Sequence, residues 1–275
     1  MLYVATVHYQ NPRWIDIQAR YLRENISVPY ETWSSLEGID RSYASRFDRI
    51  LDQRGPHAGK LNHLALEICQ VASDEDLIMF LDGDAFPIAD PMPVVLDGLE
   101  KAALVAVQRV ENLNEPQPHP CFCVTTVQTW RRLPGDWSLG FPWRAAGGEV
   151  ISDVGGNLLR ALELSQTPWL PILRTNGTNV HPVFFAIYGN ILYHHGAGFR
   201  DAFVTRTDRQ QLRKRTAIQH PAVLWLRRAR DRLLGRHWGH EVNERIRRQS
   251  QSIFDAIEND DATWLTTLQE GTNGG

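Results

Sequence analysis

The chain has 275 residues, 43% of them apolar and 22% charged, and a formal net charge of −3. These values are ordinary for a soluble globular protein, and no run approaches the roughly 18 apolar residues of a membrane-spanning helix. The N-terminal residues lack the pattern of a signal peptide, and three cysteines, an odd number, argue against a disulfide framework. We therefore expect a cytoplasmic protein with one large core and at most a smaller appendage.

Apolar segments predict strands that alternate with helices along most of the chain. The predicted strands cover residues 2–8, 30–36, 77–81, 103–110, 122–127 and 183–193. The predicted helices cover residues 12–24, 59–68, 91–99 and 155–164. Polar, Gly-rich or Pro-rich residues predict loops at 42–56, 111–120 and 134–148. This alternation implies an α/β fold with a parallel or mixed sheet flanked by helices.

Two carboxylates follow the apolar strand at residues 77–81, where ligands bind at the edge of an open α/β sheet. Asp82 and Asp84 are separated only by Gly83, so they would repel each other unless a cation lay between them. Gly83 would also let a phosphate or sugar approach the backbone. Oxygen ligands of this kind suit Mg²⁺ or Mn²⁺, which bind through carboxylates and substrate phosphates. The alternative is an ordinary turn, since Asp and Gly are good turn residues.

Two adjacent histidines end the last predicted strand and precede a Gly-x-Gly turn. Neighbouring residues on a strand point to opposite faces, so at most one histidine can reach a metal held by the two acids. We predict that this is His195, because Gly196 beside it permits close approach of a phosphate, while His194 packs behind. Arg200 is a candidate donor to the same phosphates, with a plain surface arginine as the alternative.

Further residues have both a functional and a structural interpretation. Asp153 precedes a predicted helix, which it could cap at the N-terminus. Alternatively, Asp153 lies at the mouth of a pocket, where it acts as general base, binds acceptor hydroxyls or lies near the anomeric carbon. Lys60, at a helix start, either neutralises a phosphate or is a solvated helical residue. Trp137 and Trp143 lie in a loop rich in Gly and Pro, where they either stack on a sugar or belong to the core.

The C-terminal part of the chain is strongly basic. Residues 206–248 contain 13 Lys and Arg against four Asp and Glu, a local charge of +9. Because the whole chain carries −3, the other residues together carry −12. An amphipathic helix is predicted from Pro221. It could dock on its own core, pair with a second copy of the chain as a homodimer, or contact an anionic membrane weakly, and we favour docking. Nucleic acid is disfavoured, because no nucleic-acid motif accompanies the charge.

Together these residues resemble metal-dependent glycosyltransferases of the GT-A fold, over residues 1–203, with 204–275 as a basic helical extension. Asp82-Gly83-Asp84 stands in place of the Asp-x-Asp motif of that fold, and the resemblance implies a mixed, mostly parallel sheet. Gly59-Lys60-Leu61-Asn62 resembles the helix before the motif, and His195-Gly196 the late histidine that completes metal coordination. The resemblance further implies a nucleotide base beside Thr6, Val7, His8 and Tyr9. It also implies an acceptor-side acid motif that runs from Asp153 to Asn157.

The implied reaction moves a sugar from a nucleotide-diphosphate sugar, UDP- or GDP-linked, to a hydroxyl of a saccharide or other acceptor, with Mn²⁺ or Mg²⁺ at the leaving diphosphate. Some residues are loosely similar to retaining enzymes of the glycogenin type, which favours retention, although the Asp-Gln-Asp and Lys-Pro-Trp motifs of those enzymes are absent. Two alternatives stay open. One is a phosphatase of the haloacid dehalogenase type with Asp82 as nucleophile. The other is a non-catalytic module that binds carbohydrate or membrane. For the localisation, peripheral contact of a cytoplasmic protein with the inner face of a membrane is an open alternative.

Overall fold

The computed structural model of the chain describes residues 1–145, 148–196, 198, 205, 207 and 238–270. Its strands are β1 (Leu2–Tyr9), β2 (Tyr30–Glu37), β3 (Arg49–Leu51), β4 (Leu77–Asp82), β5 (Ala85–Pro87), β6 (Leu104–Val107), β7 (His119–Thr126), β8 (Trp143–Arg144), β9 (Val150–Ile151), β10 (Leu170–Ile172), β11 (Ala186–Tyr188) and β12 (Leu192–His194). Its helices are α1 (Ile15–Asn25), α2 (His57–Val71), α3 (Met92–Leu99), α4 (Val127–Arg132), α5 (Gly156–Leu164), α6 (Trp238–Glu258) and α7 (Thr263–Gln269), with a 3₁₀ helix at Arg41–Arg46.

Seven strands form the central sheet, in the order β10-β6-β7-β4-β1-β2-β3. All neighbours in this sheet are parallel except β7, which runs antiparallel to both β4 and β6. The predicted mixed, mostly parallel sheet with flanking helices is therefore confirmed. Because β7 is reversed, its first residue lies at the same edge as the last residues of β1, β4 and β6.

The core lies on both faces of this sheet, as the apolar sequence of β4 predicts. Ile78 and Phe80 belong to one apolar cluster, which α2 covers, whereas Met79 and Leu81 belong to a second cluster on the other face. Successive side chains of a strand point to opposite faces, so a strand covered on both sides needs an unbroken apolar run. The four residues 78–81 are buried, and Asp82 is the first residue after them that is partly exposed.

A second, three-stranded antiparallel sheet has the order β11-β12-β5. Strand β5 follows the two acids directly and pairs with β12, with Ala85 opposite His194. The single strand predicted at residues 183–193 is instead a hairpin, because Gly189 and Asn190 take positive φ values of 56° and 57°. The connection has only three residues, 189–191, and the apolar residues on both sides of it make the segment read as one strand.

Five short strands were not predicted, and one of them is β5, in the second sheet. β3 and β10 are the edge strands of the central sheet, and β8 and β9 form a small hairpin, with β8 inside the segment predicted to be a loop. Each has only two or three residues, which is too short for alternation to be recognised in a sequence.

The C-terminal helices pack on the second sheet and on α1. Ile246, Phe254 and Ile257 of α6 share one apolar cluster with the core residues Trp14 and Phe86, and α7 contributes further residues to it. The helix predicted at Pro221 lies outside the described residues, and the boundary between 203 and 204 stays a prediction. None of the helices in the described part of the chain is both long and apolar enough to cross a membrane.

Candidate metal centre and active-site cavity

The turn that carries the two acids is fixed against β1. A Cβ atom added to Gly83 would lie 2.6 Å from the carbonyl oxygen of Val7 and 2.8 Å from Nδ1 of His8. Only glycine therefore fits at this position. The space beside Gly83, where the sequence analysis expects a phosphate or sugar, is filled by Val7 and His8 of β1.

Gln18 of α1 also holds this turn. Its amide nitrogen donates to the carbonyl oxygens of Asp82 at 2.8 Å and Ala85 at 2.7 Å. Its amide oxygen accepts from the Thr6 hydroxyl and lies 3.1 Å from Nε2 of His8. The side chain is 1% exposed. Both polar atoms of its amide have hydrogen-bond partners, in β1 and in the turn that carries the two acids.

Asp82, Asp84 and His194 form a compact group whose potential ligand atoms all lie within 4.8 Å of one another. Nε2 of His194 is 3.5 Å from Oδ1 of Asp84 and 3.7 Å from Oδ2 of Asp82. The backbone N–H of Gly198 donates to Oδ2 of Asp84 at 2.8 Å, and His57 Nε2 lies 2.9 Å from Oδ1 of Asp82. Carboxylate oxygens with one imidazole nitrogen are a donor set that fits Mg²⁺ or Mn²⁺.

The charges in this group support one another. Burial raises the pKa of the Asp84 carboxyl, but the nearby His194 ring outweighs it and holds that pKa below its usual range. Burial lowers the pKa of the His194 ring, but Asp84 and Asp82 outweigh it and hold that pKa above its usual value. A cation bound here would take the place of the proton on the ring, because metal ligands must be deprotonated.

The side chain of His195 points away from the acids, so His194 takes the position that the sequence analysis assigned to His195. Nδ1 of His195 lies 2.9 Å from the Tyr193 hydroxyl, and Nε2 lies 2.7 Å from Oγ of Ser250 on α6. The ring is fully buried, and burial lowers its pKa to about 3. The two histidines do point to opposite faces, as alternation requires. Gly196, the residue on which the prediction for His195 rests, has a φ of +75° that the turn requires.

A cavity of about 610 Å³ opens beside the three clustered residues. Most of the predicted site residues that the structure describes line it: Val7, His8, Tyr9, Asp82, Gly83, Asp84, Trp143, Asp153 and Gly196. Five do not: Thr6, Lys60, Trp137, Asn157 and His195. Arg200 lies outside the described residues.

The residues away from the cavity have structural partners. Lys60 is 2% exposed and its Nζ lies 2.5 Å from Oε2 of the half-buried Glu37, so an ion pair replaces the predicted phosphate contact. Trp137 is fully buried in the core against Phe80, which excludes the predicted sugar contact. Asn157 donates to Asp136 at 2.8 Å.

Thr6, too, is fully buried and donates to Gln18, so it supports the cavity wall from behind. For Lys60 and Trp137 the residue type was compatible with both a functional and a structural interpretation, and packing decided between them.

Asp153 lies at the cavity with a side chain that is 42% exposed. It does not cap α5, whose N-cap is Gly155; its Oδ1 accepts from the backbone N–H of Val154 at 2.8 Å. Its Oδ2 is 3.5 Å from Nη2 of Arg109, which Glu115 holds through contacts of 2.8 and 3.1 Å. The carboxylate therefore stays open to a ligand while a buried ion pair supports it.

Sequence reasoning missed four residues of this site: Gln18, His57, Arg109 and His119. His57 and Arg109 line the cavity beside predicted residues, and Gln18 lies behind them. His119 could have been found only if β7 had been recognised as antiparallel, because the first residue of a parallel strand lies at the opposite edge of the sheet.

No family model matches the sequence, and none of the curated proteins is similar to it at the sequence level. Solved structures are similar over part of the chain. TarS of S. aureus has 10% identity and a TM-score of 0.37, over 50% of this chain and 30% of that chain. The mannosyltransferase PcManGT from Pyrobaculum calidifontis, in complex with GDP-Man and Mn²⁺, has 14% identity and a TM-score of 0.41, over 62% of this chain and 54% of that one. This chain therefore spans about half or less of the length of these two proteins.

A third similar structure is the galactosyltransferase LgtC in complex with donor and acceptor sugar analogs. It has 10% identity and a TM-score of 0.34, over 58% of this chain and 70% of that chain. PcManGT and LgtC are both named as glycosyltransferases, the class that the sequence resembles.

Proposed function

We propose that the protein is a metal-dependent glycosyltransferase that moves a sugar from a nucleotide-diphosphate sugar to a hydroxyl group of an acceptor. The proposal is carried by the group of Asp82, Asp84 and His194 at the wall of a cavity of about 610 Å³. Small-molecule sites span about 300 to 1,000 Å³, so a nucleotide sugar is of suitable size. Hard-metal ligands beside such a cavity suit a diphosphate.

In this proposal Asp82, Asp84 and His194 hold the divalent cation, whose role when bound is to neutralise charge on the leaving diphosphate. His57 orients Asp82, and the Gly198 amide orients Asp84. These contacts fix both carboxylates before the substrate binds, so little reorganisation is needed during the reaction.

Asp153 serves the acceptor side in this proposal. It is the exposed carboxylate on the other part of the cavity wall, where it would accept the proton of the acceptor hydroxyl or lie near the anomeric carbon. Trp143 lines the same part of the cavity and offers a surface for a sugar ring. Retention of configuration is favoured only by the sequence resemblance.

We further propose a hexose as the transferred sugar, UDP or GDP as the nucleotide, Mn²⁺ or Mg²⁺ as the cation and a saccharide as the acceptor. Residues 1–203 would form the catalytic domain, and residues 204–275 an extension that supports it, pairs two copies or touches an anionic membrane from the cytoplasmic side.

The phosphatase alternative has no support among the described residues. Such an enzyme needs a later pair of aspartates at the site, and the adjacent pair Asp260 and Asp261 lies between α6 and α7 with Asp260 74% exposed. Neither residue lines the cavity. A non-catalytic binding module would not need three ligand groups fixed within 4.8 Å.

Incubation with UDP- and GDP-sugars in the presence of Mn²⁺ tests the proposal. We expect slow release of the nucleoside diphosphate, faster with a saccharide acceptor, that stops when EDTA is added. Asp84→Asn, which keeps the size of the side chain, should lose at least a hundredfold in rate, the scale of a lost electrostatic contact. Release of phosphate from phosphomonoesters would support the phosphatase instead, and no turnover with any donor would favour a binding module.

A further inference from the structure

We propose that His119 binds the transferred sugar: its Nε2–H donates a hydrogen bond to a hydroxyl oxygen of the sugar and so helps to select the donor. This inference rests on the proposed function and extends it to a residue that the sequence analysis did not single out. It is carried by the position of His119 in the sheet, by the hydrogen bond of its other ring nitrogen and by its burial at the cavity wall.

The position of His119 follows from the direction of β7. Val107, the last residue of β6, pairs with His119, the first residue of β7, and β7 lies between β6 and β4. The His119 ring therefore lies beside the acid turn, with its centroid 5.9 Å from that of His194. Arg109, which contacts Asp153, follows β6 directly and lies on the other side of His119.

The strand order places different parts of a bound nucleotide sugar beside different strands at this edge of the sheet. β1, which ends in Val7, His8 and Tyr9, lies on one side of the acids of β4, and β7 and β6 lie on the other. If the diphosphate lies at the acids and Asp153 serves the acceptor, the reacting sugar lies between them, on the side of β7. The nucleoside then extends toward β1. His119 is on the sugar side of this division.

The hydrogen bond to Nδ1 decides which ring nitrogen of His119 carries the proton. The backbone N–H of Cys121 donates to Nδ1 at 3.1 Å, so Nδ1 is an acceptor and the hydrogen of the neutral ring is on Nε2. Among the described residues, Nε2 has no hydrogen-bond partner of its own. The residue is only 7% exposed and it lines the cavity, which is where this donor finds open space.

A neutral donor suits a hydroxyl oxygen better than a phosphate. Because Nδ1 of His119 accepts the hydrogen bond from Cys121, it carries no proton, and the ring is uncharged. Phosphates are bound most strongly by charged donors. A site built to hydrogen-bond a hydroxyl also discriminates strongly against a ligand that lacks it, because the buried donor is then left without a partner.

Calorimetry in the presence of Mn²⁺ tests this assignment with two matched pairs of probes, UDP with UDP-glucose and GDP with GDP-mannose, using whichever pair binds the unmodified protein. We expect His119→Leu to bind the sugar nucleotide about tenfold more weakly, equivalent to about 1.4 kcal/mol, and the free diphosphate with unchanged affinity. His119→Gln, which places an amide N–H near the position of Nε2, should recover most of the loss. His63→Leu, on α2 and away from the cavity, is the control and should change neither affinity.

Equal weakening of both probes would overturn the assignment, because it would place His119 at the diphosphate or in a structural role. Unchanged affinity for both probes would overturn it as well. If the unmodified protein bound neither pair, the proposed function would fail and His119 would fail with it. Should His119→Leu not fold, His119→Gln and His119→Asn carry the test, since Asn places its amide near Nδ1 and only Gln should retain the affinity for the sugar nucleotide.

Discussion

His194 and His195 are consecutive residues with different environments. His194 faces two carboxylates at the cavity, whereas His195 is enclosed between Tyr193 and Ser250. Successive side chains of a strand point to opposite faces, so the sequence predicts that only one of the two histidines faces the acids. Alternation alone does not determine which one. The pairing of β12 with β5 decides it, because it sets Ala85, next to Asp84, opposite His194.

Substitution of each histidine should affect a different property. We expect His194→Ala to weaken Mn²⁺ binding at least tenfold, about 1.4 kcal/mol, because one of three ligands is lost. His195→Ala should lower the free energy of unfolding by about 1 to 3 kcal/mol, because buried hydroxyl groups lose their partner. Mn²⁺ titration followed by electron paramagnetic resonance, together with urea unfolding, measures both effects. The opposite pattern would return His195 to the metal site.

Gln18 joins α1, β1 and the acid turn through four contacts, and its replacement should be costly. Gln18→Leu keeps the approximate volume but leaves the carbonyls of Asp82 and Ala85 without this donor. We expect the free energy of unfolding in urea to fall by at least about 2 kcal/mol, since each buried unsatisfied group costs about 1 to 3 kcal/mol. Gln70→Leu, exposed on α2, is the control and should change the free energy by no more than about 0.5 kcal/mol. Equal effects of the two changes would show that Gln18 is not a structural link.

At the scale of elements, the sequence predicts well what is long and repetitive. The strands at β1, β2 and β4 and the helices α1, α2 and α5 follow from runs or periodicities of eight or more residues, or from an unbroken apolar segment. The two-residue strands β8 and β9 and the turn inside the segment from β11 to β12 depend on local backbone geometry. The direction of β7 depends on pairing between distant residues, which no local pattern encodes.

The C-terminal helix α6 supplies a hydrogen bond to His195, the residue beside the proposed metal ligand His194. Oγ of Ser250 lies 2.7 Å from His195, whose backbone N–H donates to the carbonyl oxygen of Asp84 at 3.0 Å. Ser250→Ala should therefore lower the free energy of unfolding by about 1 kcal/mol and weaken Mn²⁺–nucleotide binding severalfold. Ser252→Ala, exposed on the same helix, is the matched control for urea unfolding and calorimetry. Identical behaviour of the two variants would show that α6 only covers the core.

At the scale of the whole molecule, ligand binding should raise thermal stability. With Mn²⁺ and the correct nucleoside diphosphate at a hundred times the dissociation constant, the native state gains about 2.7 kcal/mol. For a chain of this size we expect the melting temperature to rise by roughly 5 to 10 °C, at about 2 to 4 °C per kcal/mol. Differential scanning fluorimetry measures the shift, which should disappear with EDTA and in Asp84→Asn. A shift that persisted in EDTA would contradict a metal-held diphosphate.

The separation of charge along the chain leads to a prediction about membranes. Residues 206–248 carry +9, and each basic residue close to an anionic surface contributes roughly 1 kcal/mol. We expect the protein to float with liposomes that contain anionic lipid at low salt, and to be released at high salt because ionic screening weakens the attraction. Binding to neutral liposomes that survives high salt would instead indicate apolar insertion.

The reversed direction of β7 has a consequence for how this protein could diversify. In a fully parallel sheet, every residue at the ligand edge ends a strand, and the loop that follows it must also lead into the next helix. His119 begins a strand, and the segment before it, residues 108–118, is a connection from β6 that carries no helix. Changes in the length or composition of that connection could therefore alter the surroundings of a bound sugar while leaving the acid turn after β4 intact. Preference for a new donor could evolve separately from the handling of its phosphates.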